Sequence, residues 1–181
     1  TPSVKWFVEQ KMIKPEHYNQ SNMYIIKKIN IEIVKQLINE LLKVHDILRS
    51  VFINNKIIVQ KYRENMYDYY EYNLRNDDEV NSQKYITEMI EQIQKSFNLQ
   101  DGPLVKVAIF NMDNYGYLFI VIHHLVIDGV SWRILNEDII YGYKSILKNG
   151  TINMGKKTMS YLYWADFLDK YSKSEFFDDN R

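Results

Sequence analysis

Two histidines stand side by side in the run Ile122 to Leu135, IHHLVIDGVSWRIL, and Asp128-Gly129 follows them. Histidine is the side chain best matched to moving a proton near neutral pH. An apolar stretch leads into the pair, as a buried strand would. On a strand, neighbouring side chains point to opposite faces. One histidine can then meet a cleft while the other packs inward. Asp128 is placed to orient a histidine, to cap a following helix or to pair with an arginine. Gly129 permits a tight turn with close backbone approach. A purely structural, hydrogen-bonded histidine pair is the competing reading. Ser131 either caps the helix or lines a passage, and Trp132 reads as core.

Other chemistries find less support. His17 and His45 lie far from the pair in sequence, and no His/Asp/Glu grouping has recognised ligand spacing, so no metal is expected. The chain has no cysteine, which removes disulfides, thiolate catalysis and zinc–sulfur sites. No nucleophile-elbow sequence points to a serine hydrolase.

The elements that must position these residues follow from pattern. A short helix is expected over Pro2–Gln10, with proline in a first-turn position. Met23–Ile29 reads as a strand. Val34, Leu37, Ile38, Leu41 and Leu42 fall at helical spacing and predict a helix over Ile31–Val44. Leu48–Ile53 and Ile57–Lys61 predict a hairpin around Asn54-Asn55. Tyr67–Tyr72 is a candidate strand, more exposed strand than ligand box. Ile86, Met89, Ile90, Ile93 and Phe97 mark a helix over Val80–Phe97. Asp101-Gly102-Pro103 turns the chain. Leu104–Phe110 and Tyr117–His123 predict two strands, the second apolar on both sides and so interior to a sheet. A helix follows Gly129, and a last one covers Tyr161–Tyr171. Hairpins interleaved with helices predict one α/β domain with a mixed sheet.

Bulk composition is that of an ordinary globular protein: 46% hydrophobic and 25% charged among 181 residues. The 23 basic and 23 acidic residues cancel, so nothing in the charge points to nucleic acid or an anionic membrane. No apolar run has the length of a membrane span, no signal peptide is visible, and a cytoplasmic location is expected. The chain opens at Thr1-Pro2 and closes on the charged stretch Glu175 to Arg181. It reads as a piece of something longer.

A family resemblance rests on these residues. HHLVIDG has the His-His-x-x-x-Asp-Gly form of the condensation superfamily of nonribosomal peptide synthetases, whose fold is that of chloramphenicol acetyltransferase. Three further segments match in order. Thr1 to Phe7, TPSVKWF, resembles the epimerisation-domain opening Pro-Ile-Gln-x-Trp-Phe through Pro2, Trp6 and Phe7. His45 to Val51, HDILRSV, resembles the Arg-His-Glu-x-Leu-Arg-Thr motif through His45, Leu48 and Arg49, with Val44 and Asp46 departing from it. Phe97 to Val105, FNLQDGPLV, is similar to the Phe-Asp-Leu-x-x-Gly-Pro-Leu segment. Trp6-Phe7, His17 to Gln20 and the Val130-Ser131-Trp132 extension lean toward epimerisation domains rather than condensation domains.

The resemblance implies a chloramphenicol acetyltransferase-like sandwich, a mixed sheet flanked by helices, with residues 1–181 forming the amino-terminal lobe of a two-lobe epimerisation domain. It implies inversion of the α-carbon of an aminoacyl or peptidyl thioester held on the phosphopantetheine arm of a peptidyl carrier protein. No directly bound cofactor is expected. Implied partners are the carrier protein, the carboxy-terminal lobe, and the adenylation and condensation domains of the synthetase. His124 becomes the lead acid/base residue, with a glutamate partner in the other lobe. His123 is read as buried and structural. Asp128 is read as a cap or as the partner of Arg49, and amides around Gly129-Val130 as a candidate enolate-oxygen site. A condensation lobe that forms an amide bond and a non-catalytic carrier-binding lobe are the alternatives.

Overall fold

The computed structural model describes residues 1–75, 78–152, 154 and 159–174. Five α-helices and six strands alternate along these residues: α1 (Pro2–Glu9), β1 (Asn19–Ile26), α2 (Ile31–Val44), β2 (Ser50–Ile53), β3 (Lys56–Val59), β4 (Asp68–Asn73), α3 (Glu79–Lys95), β5 (Val105–Asn111), β6 (Gly116–His123), α4 (Gly129–Asn149) and α5 (Tyr161–Ser172). Short 3₁₀ turns cover Pro15–His17 and Asp46–Arg49. The order and type of the expected elements hold, and the sheet is mixed.

The main sheet runs β1-β6-β5-β4. β6 pairs antiparallel with β1 and β5, while β4 joins β5 in parallel. β6 is interior, as its two-sided apolarity requires. Its side chains alternate between two cores. Leu118, Ile120 and Ile122 join the core under α2 and α4. Phe119 and Val121 join Phe110, Ile86 and Ile93 in the core that includes α3. This alternation decides where each histidine at the strand end goes.

Helix α2 starts because the Asn30 side chain accepts the N–H groups of Glu32 and Ile33. Its five predicted apolar positions are all buried, each worth about 1.5–3 kcal/mol relative to exposure. It packs closely on α4 at Gly142, where an added Cβ would fall 2.6 Å from Leu37 Cδ1. Helix α3 is capped by Asp78, which accepts the N–H groups of Val80 and Asn81. Lys106 is buried on β5 and pairs with Asp68 directly opposite on β4. Its ammonium also donates to the Ser96 carbonyl at 3.2 Å. The β2–β3 hairpin turns at Asn54 and Asn55, both left-handed with φ of 50° and 62°, the backbone that a two-residue hairpin loop demands.

One element departs from expectation in a way that matters for the site. β1 begins at Asn19, four residues before the predicted Met23. Its first half, Asn19 to Asn22, is polar, so periodicity could not mark it. Pairing with β6 supplies the missing drive, and the polar side chains serve the site instead. The terminal stretch Glu175 to Arg181 lies outside the described residues.

Candidate functional site

The register Asn19↔His123 brings Tyr18 alongside His124, whose backbone N–H donates to the Tyr18 carbonyl at 2.9 Å. The Tyr18 ring stacks on the His124 ring at 4.6 Å with planes 12° apart. Two residues further, on the same strand face, Gln20 reaches His124.

His124 is half-buried and lines a cleft of about 190 Å³ with Trp6, Tyr18, Ser131 and Tyr161. Its ring is oriented from behind. Nδ1 lies 2.7 Å from the Ile127 carbonyl, which can only accept, so Nδ1 carries the proton. Nε2 of the neutral ring is therefore a lone pair. The Gln20 amide nitrogen donates to it at 3.0 Å. A histidine held this way presents a base at one defined atom.

His123 has the opposite arrangement. It is fully buried, with Nε2–H donating to the Pro15 carbonyl at 2.8 Å and Nδ1 accepting the Leu125 N–H at 3.3 Å. Phe7 and Phe97 each meet its ring edge-on at 5.8 Å. Burial pushes the imidazole down to about 4, so it is neutral at physiological pH. This is the inward, structural histidine that strand alternation predicts.

Asp128 is the N-cap of α4. Its carboxylate accepts the Ser131 N–H at 2.7 Å. Hydrogen bonds from Ser131, hydroxyl first and backbone second, hold the carboxyl below its ordinary range. The capping reading stands, and the alternative pairing with Arg49 does not. Arg49 donates from Nη1 to the Leu42 and Lys43 carbonyls at 2.7 and 3.3 Å, and from Nε to Gln60 at 2.9 Å. It closes the last turn of α2 and ties it to Gln60, the residue that follows β3, and it does not line the cleft of His124. The helix end has orphan carbonyls, and a guanidinium fork satisfies two of them at once. The Ser131 amide is thus committed to the Asp128 carboxylate, beside the Gly129-Val130 amides read as an enolate-oxygen site. Ser131 combines its contact with Asp128 and a place in the cleft wall.

Gly129 behaves differently from its sequence reading. It has no left-handed backbone, and a Cβ added there would meet nothing within 4 Å. No turn requires it. It lines an open groove with Gln20, Asn22, Trp132 and Asn136, where Asn136 accepts hydrogen bonds from Asn22 and Tyr24. Trp132 is buried as expected. Of the opening pair, Phe7 is buried and seats α1, whereas Trp6 is exposed, tilts against Tyr18 and walls the cleft.

The segment His45 to Val51 forms a clasp beside the site. His45 Nε2 lies 2.7 Å from the Asp138 carboxylate and joins the end of α2 to α4. Asp46, buried, accepts the Tyr161 N–H at 3.3 Å and holds the start of α5. Gln20, Tyr18 and Tyr161 are the site residues that residue-by-residue reading missed. Their signal is long-range pairing, which spacing along the chain does not carry. Among the described residues, no group of three or more His, Cys, Asp or Glu side chains could hold a metal ion. No helix there is long and apolar enough to cross a membrane.

Comparison with known proteins places this geometry. Gramicidin S synthase 1 of Brevibacillus brevis is 40% identical over 182 residues, covering 98% of this chain and 16% of that protein. Tyrocidine synthase 1 of Brevibacillus parabrevis is 37% identical over 177 residues, covering 95% of this chain and 16% of the relative. The chain therefore spans about a sixth of the length of these relatives. Among solved structures, the epimerization domain from the third module of tyrocidine synthetase B superposes with a TM-score of 0.90 at 37% identity, over 97% of this chain and 41% of that one. The starter condensation domain of rhizomide synthetase gives 0.78 at 18% identity, over 96% of this chain and 45% of that one, which shows a shared fold. The family model for the condensation domain matches residues 4–181, and the chain belongs to the condensation-domain family of nonribosomal peptide synthetases.

Proposed function

We propose that this chain is the amino-terminal lobe of an epimerisation domain. In this reading it inverts the α-carbon of an aminoacyl or peptidyl thioester on the phosphopantetheine arm of a carrier protein, in the cytoplasm, as one part of a larger synthetase. The observation that carries the proposal is His124: a ring locked from behind by the Ile127 carbonyl, with its basic nitrogen turned forward. The likeness to an epimerization domain at 37% identity supports it, against 18% for the condensation domain.

The chemistry needs little else from this lobe. A thioester acidifies the adjacent Cα–H. His124 Nε2 takes that proton, and the C–H electron pair passes into the thioester carbonyl to give an enolate. Inversion requires return of a proton to the opposite face, from a second acid/base group outside the described residues. The groove beside Gly129 has room for a slender arm because no side chain fills it. The arm belongs to the carrier protein and is substrate, so no resident cofactor is required.

The test uses the complete domain that carries this chain. A carrier protein is loaded with an L-aminoacyl thioester in D₂O and the domain is added. Deuterium entering Cα with loss of chirality is the expected result. Amide formation with an added acceptor and no exchange would establish condensation instead. Carrier binding with neither reaction would make this a non-catalytic binding lobe.

A further inference from the structure

We infer that Gln20 is a positioning residue for His124, serving both of its protonation states by turning its side-chain amide. The kinetic part of this inference rests on the proton-transfer role just proposed; the hydrogen-bond part does not.

In the neutral state the pairing is complete at the ring and incomplete at the amide. Nδ1–H is committed to Ile127, so Nε2 can only accept, and the Gln20 NH₂ can only donate. The other end of the same amide, Gln20 Oε1, is buried and has no hydrogen-bond partner among the described residues. A buried amide oxygen without a partner is costly to keep. It is also in the one place where it would be useful.

Protonation reverses the demand. The proton that leaves the substrate Cα becomes Nε2–H, and the C–H electron pair goes to the enolate. Nε2 is then a donor facing a donor. A half-turn about the last side-chain bond of Gln20 exchanges NH₂ for Oε1 at nearly the same point. That torsion is broad and roughly two-fold, and the two ends are almost equal in size. Oε1 then accepts from the imidazolium, a charge-assisted bond. Gln20 must release Nε2 for the transfer itself, and it re-forms a bond on either side of that step.

The surroundings leave this task to Gln20. Tyr18 covers the ring face at 4.6 Å. His123, on the adjoining strand position, is neutral and turned to the core. Asp128, ahead of α4, is engaged with Ser131. Tyr161, on α5, shares the cleft wall. Among the described residues, Gln20 is the side chain within hydrogen-bond distance of Nε2. The polar start of β1 puts it there by register with β6.

The spectroscopic test uses this chain uniformly labelled with ¹⁵N. In neutral His124, a coupling across the hydrogen bond between the Gln20 amide nitrogen and His124 Nε2 is expected. In the imidazolium form it disappears, and the Nε2 proton becomes protected from exchange. No coupling in the neutral form, or Gln20 amide signals indifferent to His124 protonation, overturns the inference.

The kinetic test uses the complete domain. Gln20→Leu is expected to lower kcat for Cα exchange on the order of tenfold, the scale of one charge-assisted hydrogen bond, with KM within about twofold. Gln20→Glu keeps the acceptor and loses the donor. Its rate profile is expected to move toward alkaline pH, because a carboxylate favours the imidazolium. Unchanged kcat in Gln20→Leu with an unmoved profile in Gln20→Glu overturns the positioning role. Absence of any Cα exchange in the unsubstituted domain would instead sink the epimerase reading, and the ¹⁵N measurement would still decide what Gln20 does.

Discussion

The two sides of the β6 end carry the same residue type and come out as opposites. On the inner side, His123 is fully buried, protonated on Nε2 and held neutral among Phe7, Phe97 and the Pro15 carbonyl. On the outer side, His124 is half-buried, protonated on Nδ1, and turns its other nitrogen to Gln20 at the cleft. One peptide step separates them. Alternation puts the two rings on opposite sides, and because β6 ends at His123 the side that His124 takes borders the cleft. The backbone carbonyl each ring meets then fixes its tautomer. The difference teaches that adjacency in a motif does not mean a shared environment: one histidine is packed into the interior while the other borders the cleft.

The sharpest way to break this contrast is to remove each ring in turn. His124→Ala in the complete domain is expected to lower the Cα exchange rate by about 10²–10⁴-fold, the usual worth of a positioned acid/base group, roughly 3–5 kcal/mol of barrier. Its thermal midpoint should stay near that of the unsubstituted protein, since the ring borders a cleft. Exchange kinetics and a melting curve on the same sample check both halves. A large stability loss with activity retained would erase the distinction.

His123 gives the converse, and pH reads it without any substitution. Its pKa is about 4 in the folded state against 6.5 as the ordinary value. As pH falls from 6.5 toward 4, the unfolded chain binds a proton that the folded chain refuses. Stability is thus intact above 6.5 and is lost progressively down to 4, by about 3 kcal/mol for a shift of this size. His123→Gln can keep a donor for the Pro15 carbonyl but does not titrate. It should flatten that slope in denaturant titrations at a series of pH values. An unchanged slope would mean that His123 protonates without cost and is not buried as a neutral ring.

How much of this was legible beforehand follows the same division. The end of β6 could be read because its signals are local: an apolar run, two histidines, then a cap and a helix. The α2 stripe was legible for the same reason. What could not be read depends on partners distant in the chain. Gln20 and Tyr18 sit on a strand half whose side chains are polar, and only pairing with β6 makes it a strand. Arg49 shows the reverse error. Arg49, inside a matched motif, was offered as a partner for Asp128, but its Nη1 and Nε donate instead to the carbonyls of Leu42, Lys43 and Gln60. Gly129 suggested a tight turn with close backbone approach, but its backbone is not left-handed and the space beside it is open.

Asp128 sharpens the comparison at smaller scale, since it shares the motif with both histidines. As an N-cap, it should cost about 1 kcal/mol of stability when changed to Ala. Asp128→Asn keeps an oxygen for the Ser131 N–H and loses only the charge at the helix start, so it should cost a few tenths to about 1 kcal/mol. Were Asp128 held by an arginine, the two substitutions would be equally damaging. Chemical denaturation of both variants separates the cases. The lowered carboxyl pKa adds a sign: this contribution is present above the ordinary aspartate value and is lost as pH falls from there through the lowered folded value.

The smallest expected effect on stability is at Gly129, and there the comparison turns on function. A methyl group at this position meets no atom within 4 Å and needs no unusual backbone. Alanine is also the better helix former, by up to about 1 kcal/mol in a helix interior and less at a first turn. Gly129→Ala should therefore leave the melting midpoint unchanged or slightly raised. If the open groove beside it is the path of the carrier's arm, the same methyl group narrows that path. Cα exchange should then fall through a raised KM for the loaded carrier, with His124 chemistry intact. Unchanged KM would mean that the arm reaches His124 by another route, and the opening on the Gly129 side would have no part in the reaction.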